Sequence, residues 1–168
     1  MKAKLIVEGK EFDIEINDPE LQKLVAPPKK TGYERSINKG QIYIVDRDND
    51  IGIIYDSDDT DDRALYENAN YYTDVKLAKN NARADKLMRQ LRRFAVEYRT
   101  KNIDWNSDEY KYTIRCGYLT DVSLNVDTEV RGRDFGVIYF DSKETAQVAI
   151  DTFYDELIWY FTEYKDSL

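Results

Sequence analysis

No histidine occurs anywhere in the 168 residues of the chain. That absence closes Ser-His-Asp and Cys-His catalysis, histidine ligation of zinc, and the usual proton shuttle near neutral pH. A single cysteine, Cys116, cannot make an internal disulfide, which fits a reducing compartment. It sits mid-strand beside Gly117 with no paired base, so it reads as an inert thiol. No apolar run approaches the roughly twenty residues that span a bilayer, and no basic-then-apolar leader is visible. The expectation is a soluble, cytoplasmic chain with no membrane contact. Carboxylates, lysines and tyrosines remain for chemistry, but no catalytic, metal or cofactor motif accompanies them. The chain reads as non-enzymatic, with no cofactor.

What is there is charge, sorted by region. Residues 76–101 carry nine Lys or Arg against two acids, on a chain whose net charge is −8. Residues 41–75 carry ten acids against two bases, and residues 102–168 carry fourteen against six. A basic segment on an acidic protein implies a charge-matched contact, with a partner or with the chain's own acidic parts. Hydrophobic residues make up 42% of the chain and recur periodically, so a packed core is expected rather than disorder. At this length the chain buries roughly two-thirds of its unfolded surface.

The periodicity predicts an α+β fold. Lys2–Val7 and Phe12–Ile16 read as a hairpin turning at Glu8-Gly9-Lys10-Glu11. Asp18 then caps a short helix, which Pro27-Pro28-Lys29-Lys30 ends. Residues 1–26 form a small hairpin–helix unit, 27–40 a linker, and 41–168 the main domain. Gln41–Val45 and Ile51–Tyr55 read as a second hairpin, followed by an acidic loop at 56–62. Thr73 or Asp74 caps a long amphipathic helix to about Thr100, with Leu87, Leu91 and Phe94 on its apolar stripe. Lys111–Tyr118, Asp121–Asp127 and Phe135–Phe140 read as a three-stranded meander. Asp141-Ser142-Lys143-Glu144 matches a capping box for a second long helix, with Ala146, Ala149, Ile150, Phe153, Leu157 and Tyr160 on one side.

Four features carry candidate chemistry. Asp46-x-Asp48-x-Asp50 begins like a calcium loop, but Ile51 stands where such loops need Gly, and Ser57 where they need Glu. It reads better as a solvated turn. Asp56, Asp58, Asp59, Asp61 and Asp62, with Asp151, Asp155 and Glu156 on the last helix, form the candidate acidic surface. Such carboxylates serve solubility, or they make a metal-binding loop, or they imitate a phosphate backbone and enter a partner's nucleic-acid channel. Arg83, Arg89, Arg92 and Arg93 form the candidate basic surface. It would contact phosphates, with Tyr98 and Trp105 stacking on bases, or face an acidic partner, or lie against the chain's own acids. Fourteen tyrosines suit interface contacts, and an exposed Trp159 would add to them.

Five stretches carry a resemblance: Thr31-Gly32-Tyr33-Glu34-Arg35, Asn70-Tyr71-Tyr72-Thr73-Asp74, Ala84–Arg99, Gly136–Ile150 and Asp155–Phe161. Together they resemble small accessory proteins of phages and prophages of Gram-positive bacteria. Some chains of similar layout look like anti-CRISPR inhibitors of type II (Cas9) systems. The resemblance implies a counter-defence protein whose partner is a Cas effector or its nucleic-acid complex, with an acidic surface blocking the effector's groove. The alternatives are a nucleic-acid or effector–guide binder using the basic helix, and a phage structural protein or homodimer built on the helices.

Overall fold

Hairpins and helices alternate along the chain, which is described by a computed structural model over residues 2–7, 10–19, 21, 30–36, 40–117 and 122–164. Strands β1 (Lys2–Val7) and β2 (Lys10–Glu15) pair antiparallel, with Val7 opposite Lys10. Strands β3 (Gln41–Val45) and β4 (Ile51–Tyr55) form the second hairpin. Helices α1 (Thr60–Glu67) and α2 (Val75–Glu97) follow. Strands β5 (Lys111–Gly117) and β6 (Ser123–Glu129) make the third hairpin. Helices α3 (Lys143–Thr152) and α4 (Tyr154–Trp159) lead into a π-helical turn, Tyr160–Tyr164. The α+β class is as expected. Among the described residues the strands make three separate two-stranded sheets.

Helix α2 begins where the sequence placed it, because the Asp74 carboxylate accepts the Leu77 amide at 2.7 Å. Its 23 residues are buried on two different sides. Near the N-terminus Ala78 and Ala82 are buried, alongside Ile42 and Tyr72 of the second hairpin region. Beyond Ala84 the buried positions are Leu87, Leu91 and Phe94, which join Phe140, Ala146, Ala149 and Leu157 in one apolar cluster. At about 100° per residue these two sets lie on nearly opposite sides of the helix. Helix α2 is thus the shared wall of two packed units.

Several expectations change. The helix expected after Asp18 lies largely outside the described residues, although Leu21 donates its amide to Asp18 as a cap would. Residues 60–62 are not loop: Asp59 caps α1, accepting the Asp61 and Asp62 amides. Residues 135–140 do not form a third strand. Gly136 turns through φ 78°, and Phe140 alone bridges to Tyr112 through hydrogen bonds of 3.0 and 2.7 Å. Ser142, not Asp141, caps α3, accepting the Thr145 amide at 3.0 Å. Asp141 turns back instead and accepts from the Thr100 and Lys101 amides.

The second long helix is also broken. It stops at Phe153, restarts as α4, and widens at Tyr160. Thr152 and Thr162 each place a hydroxyl on the carbonyl four residues back, at 2.6 and 2.8 Å. That bond competes with the regular ladder and bends it. One long amphipathic helix is therefore present, not two.

Residues 31–36, inside the segment expected to link, are bonded to the main domain. Glu34 accepts from the Thr31 and Gly32 amides and from the Thr73 hydroxyl. Gly32 sits at φ 89°, and a Cβ there would meet the Leu77 side chain at 2.8 Å.

The two-sided burial of α2 sets a stability test. Leu91→Ala opens a void in the shared cluster and should cost about 2–5 kcal/mol in urea unfolding. Val96→Ala, on the same helix but 63% exposed, should change stability by less than about 0.5 kcal/mol.

Candidate functional site

The five aspartates of residues 56–62 do not form one outward surface. Asp56 and Asp62 are buried at 2% and 4% exposure. Asp56 accepts the Tyr71 hydroxyl at 2.5 Å and the Asp58 amide at 2.7 Å, with the Arg35 guanidinium 3.7 Å away. The Tyr71 bond holds its carboxyl below the ordinary value; burial opposes this, and the Asp58 amide and Arg35 add to it. Burial, and then Asp56, push the Tyr71 hydroxyl up to about 12. Asp62 accepts the Ser57 amide at 2.7 Å and completes the capping box with Asp59. The Asp62 amide and the Ser57 hydroxyl hold Asp59 below its ordinary value.

Asp58, Asp59 and Asp61 face solvent. Asp58 is paired with Arg35 at 2.7 Å and lies 3.5 Å from Arg63. At the other end of the hairpin Asp46, Asp48 and Asp50 are exposed. One Asp46 oxygen accepts both the Asp48 and Asp50 amides at 2.9 Å, the self-bonded turn that the sequence suggested. Among the described residues no group of three or more His, Cys, Asp or Glu is placed to hold a metal ion.

On the C-terminal helices Glu156 grips Arg83 through two hydrogen bonds, 2.8 and 3.1 Å. Arg83 also lies 3.9 Å above the Trp159 ring. Trp159 is therefore buried, at 6% exposure, and not an interface anchor. Asp151 accepts from Gln147, and Asp155 is exposed beside Trp159. Arg89 donates to the Asn49 side chain, and Arg93 lies 3.7 Å from Glu97. Arg92 is exposed on a shallow groove with Arg133 and Asp134. Lys79 and Lys86 are exposed around a groove of about 540 Å³ with Asn49, Asp50 and Arg83. Of the two rings expected to stack on bases, Tyr98 stacks on Phe94 at 4.2 Å yet stays 56% exposed, and Trp105 meets Tyr139 edge-on at 5.0 Å with Arg133 4.9 Å from its ring.

Three further residues did not stand out in the sequence. Asn81 is buried, donates to the Tyr33 hydroxyl at 2.6 Å and accepts the Tyr164 hydroxyl at 3.0 Å. It ties residues 30–36 and the C-terminal turn to α2. Lys111 is buried at 2% exposure, and its ammonium donates to the Ser107 and Val130 carbonyls at 2.8 Å each. Asn70 lies beside β3, accepting the Val45 amide and donating to the Val45 carbonyl. A cavity of about 420 Å³ opens between α2 and residues 135–138, lined by Leu87, Leu91, Phe140, Leu157 and the exposed Phe135. It is apolar and continuous with the core. Cys116 is a half-buried free thiol, its Sγ 4.0 Å from the Gly117 carbonyl oxygen.

No known protein family matches this chain, and no curated protein or solved structure is significantly similar to it. Among the described residues no helix is long and apolar enough to cross a membrane.

Asp56 and Asp141 give a pH test. Burial pushes Asp141 up, but hydrogen bonds from the Thr100 hydroxyl and the Lys101 and Thr100 amides outweigh it and hold it low. Both carboxyls are thus depressed in the folded state. Their contribution is complete above the unfolded value of about 4 and is lost as pH falls through the folded values. Asp56→Asn should lower stability at pH 7 by about 1.5–3 kcal/mol, the worth of a hydrogen bond to a charged group. Its loss of Tm between pH 5 and 2, followed by circular dichroism, should be shallower than that of the native chain.

Proposed function

We propose that this chain is a non-enzymatic, phage-encoded binding protein that inhibits a host defence effector of the CRISPR (Cas9) type. In this reading it acts in the host cytoplasm, seating an acidic surface in a cationic groove that otherwise holds nucleic acid. The observation that carries it is the placement of exposed carboxylates at both ends of the β3–β4 hairpin. Asp46, Asp48 and Asp50 stand at one end and Asp58, Asp59 and Asp61 at the other. Strand geometry separates the two groups by about 20 Å. Asp56 and Asp62, bonded inward, brace the second group and do not face the partner. Glu156 is paired with Arg83, Asp151 with Gln147 and Asp58 with Arg35. This leaves Asp48, Asp50, Asp59 and Asp61 at the hairpin ends and Asp155 on the last helix as exposed carboxylates outside an ion pair of 3.5 Å or less among the described residues. Complementary charge of this kind speeds encounter and makes binding salt-sensitive.

A second reading rests on Lys79, Lys86 and Arg92. These are exposed and make no ion pair within 4.0 Å among the described residues, so they are available for phosphates. Arg83, Arg89 and Arg93 are already engaged within the chain.

The test is capture of a purified Cas9-type effector across a salt series. Replacing Asp48, Asp50, Asp58, Asp59 and Asp61 by Asn removes charge while keeping acceptors for the Asp59 cap. Binding should weaken at least about tenfold and lose much of its salt dependence. Unchanged binding would remove the acidic-surface reading. Loss of binding on reversing Lys79, Lys86 and Arg92 to Glu would install the second.

A further inference from the structure

We infer that the outer edge of β4 accepts an extended strand from a basic partner protein. This rests on the reading that the acidic hairpin end docks a partner, and it states how the contact is made. The backbone decides which groups are available. On β3, Tyr43 exchanges both its hydrogen bonds with Tyr72, at 2.8 and 3.0 Å. Val45 gives its amide and carbonyl to the Asn70 side chain, at 2.7 and 2.8 Å. The backbone groups of Tyr43 and Val45 therefore point away from β4. Tyr43 is opposite Ile53 and Val45 opposite Ile51. In an antiparallel ladder such pairs are the ones that do not bond each other, so Ile51 and Ile53 also point outward. Tyr55, two residues on, does the same, because the bonded pair beyond it is Asp56 with Gly40 at 3.1 Å. Among the described residues no hydrogen bond fills these outward positions on β4.

The side chains agree with the backbone. Ile53 and Tyr55 are 59% and 68% exposed, while Ile42, on the opposite face of the hairpin, is at 0%. Strand β4, Ile-Gly-Ile-Ile-Tyr, has no charge, no proline and no bulge to discourage pairing. A guest strand would gain main-chain bonds along the edge and apolar contact with Ile53 and Tyr55.

Charge selects the guest. Each end of the edge carries more acids than bases, Asp46, Asp48 and Asp50 against Arg47, and Asp58, Asp59 and Asp61 against Arg63, with Lys79 and Lys86 bordering the groove beside Asp50. A second copy of this chain, run in either direction, would therefore bring like net charge together. A segment with alternating apolar residues and Lys or Arg at each end meets every feature instead.

The test uses the full chain and a nine-residue peptide, Lys-Lys-Val-Thr-Val-Thr-Val-Lys-Lys, with a twin carrying Glu for every Lys. Amide hydrogen exchange is followed by NMR. The lysine peptide should slow exchange at Ile51, Ile53 and Tyr55 at least about tenfold, and the glutamate twin should not. Ile53→Pro deletes one outward N–H and leaves the β3–β4 ladder intact, so it should abolish that protection. Ile53→Lys serves if the proline variant unfolds. No protection by the lysine peptide, equal protection by the glutamate twin, or protection that grows with protein concentration alone would overturn the inference. Effector capture that survives Ile53→Pro but fails with the aspartate variants would remove strand addition and leave acidic docking standing.

Discussion

One helix has to satisfy two cores. Near its N-terminus α2 offers Ala78 and Ala82 to the β3–β4 side, and beyond Ala84 it offers Leu87, Leu91 and Phe94 to the cluster with α3 and α4. The first contact is made with methyl groups, so the hairpin approaches the helix closely. The second is made with large side chains, where most of the apolar area is buried. The second cluster is walled further by the β5–β6 hairpin, through Tyr112, Ile114, Leu124 and Val126, and α2 is the element that the two units share. Their relative placement therefore depends on α2 remaining one unbroken rod.

Polar contacts then fix the orientation that apolar packing leaves loose. Asn81 joins Tyr33 and Tyr164, which lie 48 and 83 residues from it in the chain. The Arg83–Glu156 pair adds a charged clasp over Trp159 beside it. Each partner of that pair is more than 40% exposed, so its worth is in geometry more than in energy. The same economy explains the aspartates. Asp56 and Asp62 are spent on bonds that hold the chain at the end of β4, and this leaves Asp58, Asp59 and Asp61 outward.

Local pattern was legible and long-range pairing was not. The three hairpins, the start of α2 at Asp74, and the stripe of Leu87, Leu91 and Phe94 follow from spacing that neighbours alone decide. Ala78 and Ala82 escaped notice as a separate face because alanine is neither clearly apolar nor polar by periodicity. The burial of Asp56 depends on Tyr71, 15 residues on, and Arg35, 21 residues back. No local count of carboxylates contains that information. The expected third strand failed at Gly136, whose positive φ turns the chain just before the alternating residues. Glu34, Arg35, Asn70 and Tyr71 brace the fold as Asp56 does, each through a group 15 or more residues away in the chain.

That distinction bears on where a partner would sit. Surfaces already committed to bracing have little left to offer: the Arg83 side of α2 faces Glu156, and the Asn70 side of β3 is covered. The outer edge of β4 is the reverse case. Its backbone bonds on one side are satisfied by β3, its inward face is packed near α2, and among the described residues its remaining groups have no hydrogen-bond partner. Because the hairpin is clamped at Tyr43, Val45 and Asp56 before any partner arrives, little ordering entropy would be lost on docking there. On the proposed reading, rigidity provided by the buried aspartate and by α2 is what would let this edge, unpaired among the described residues, take up a strand.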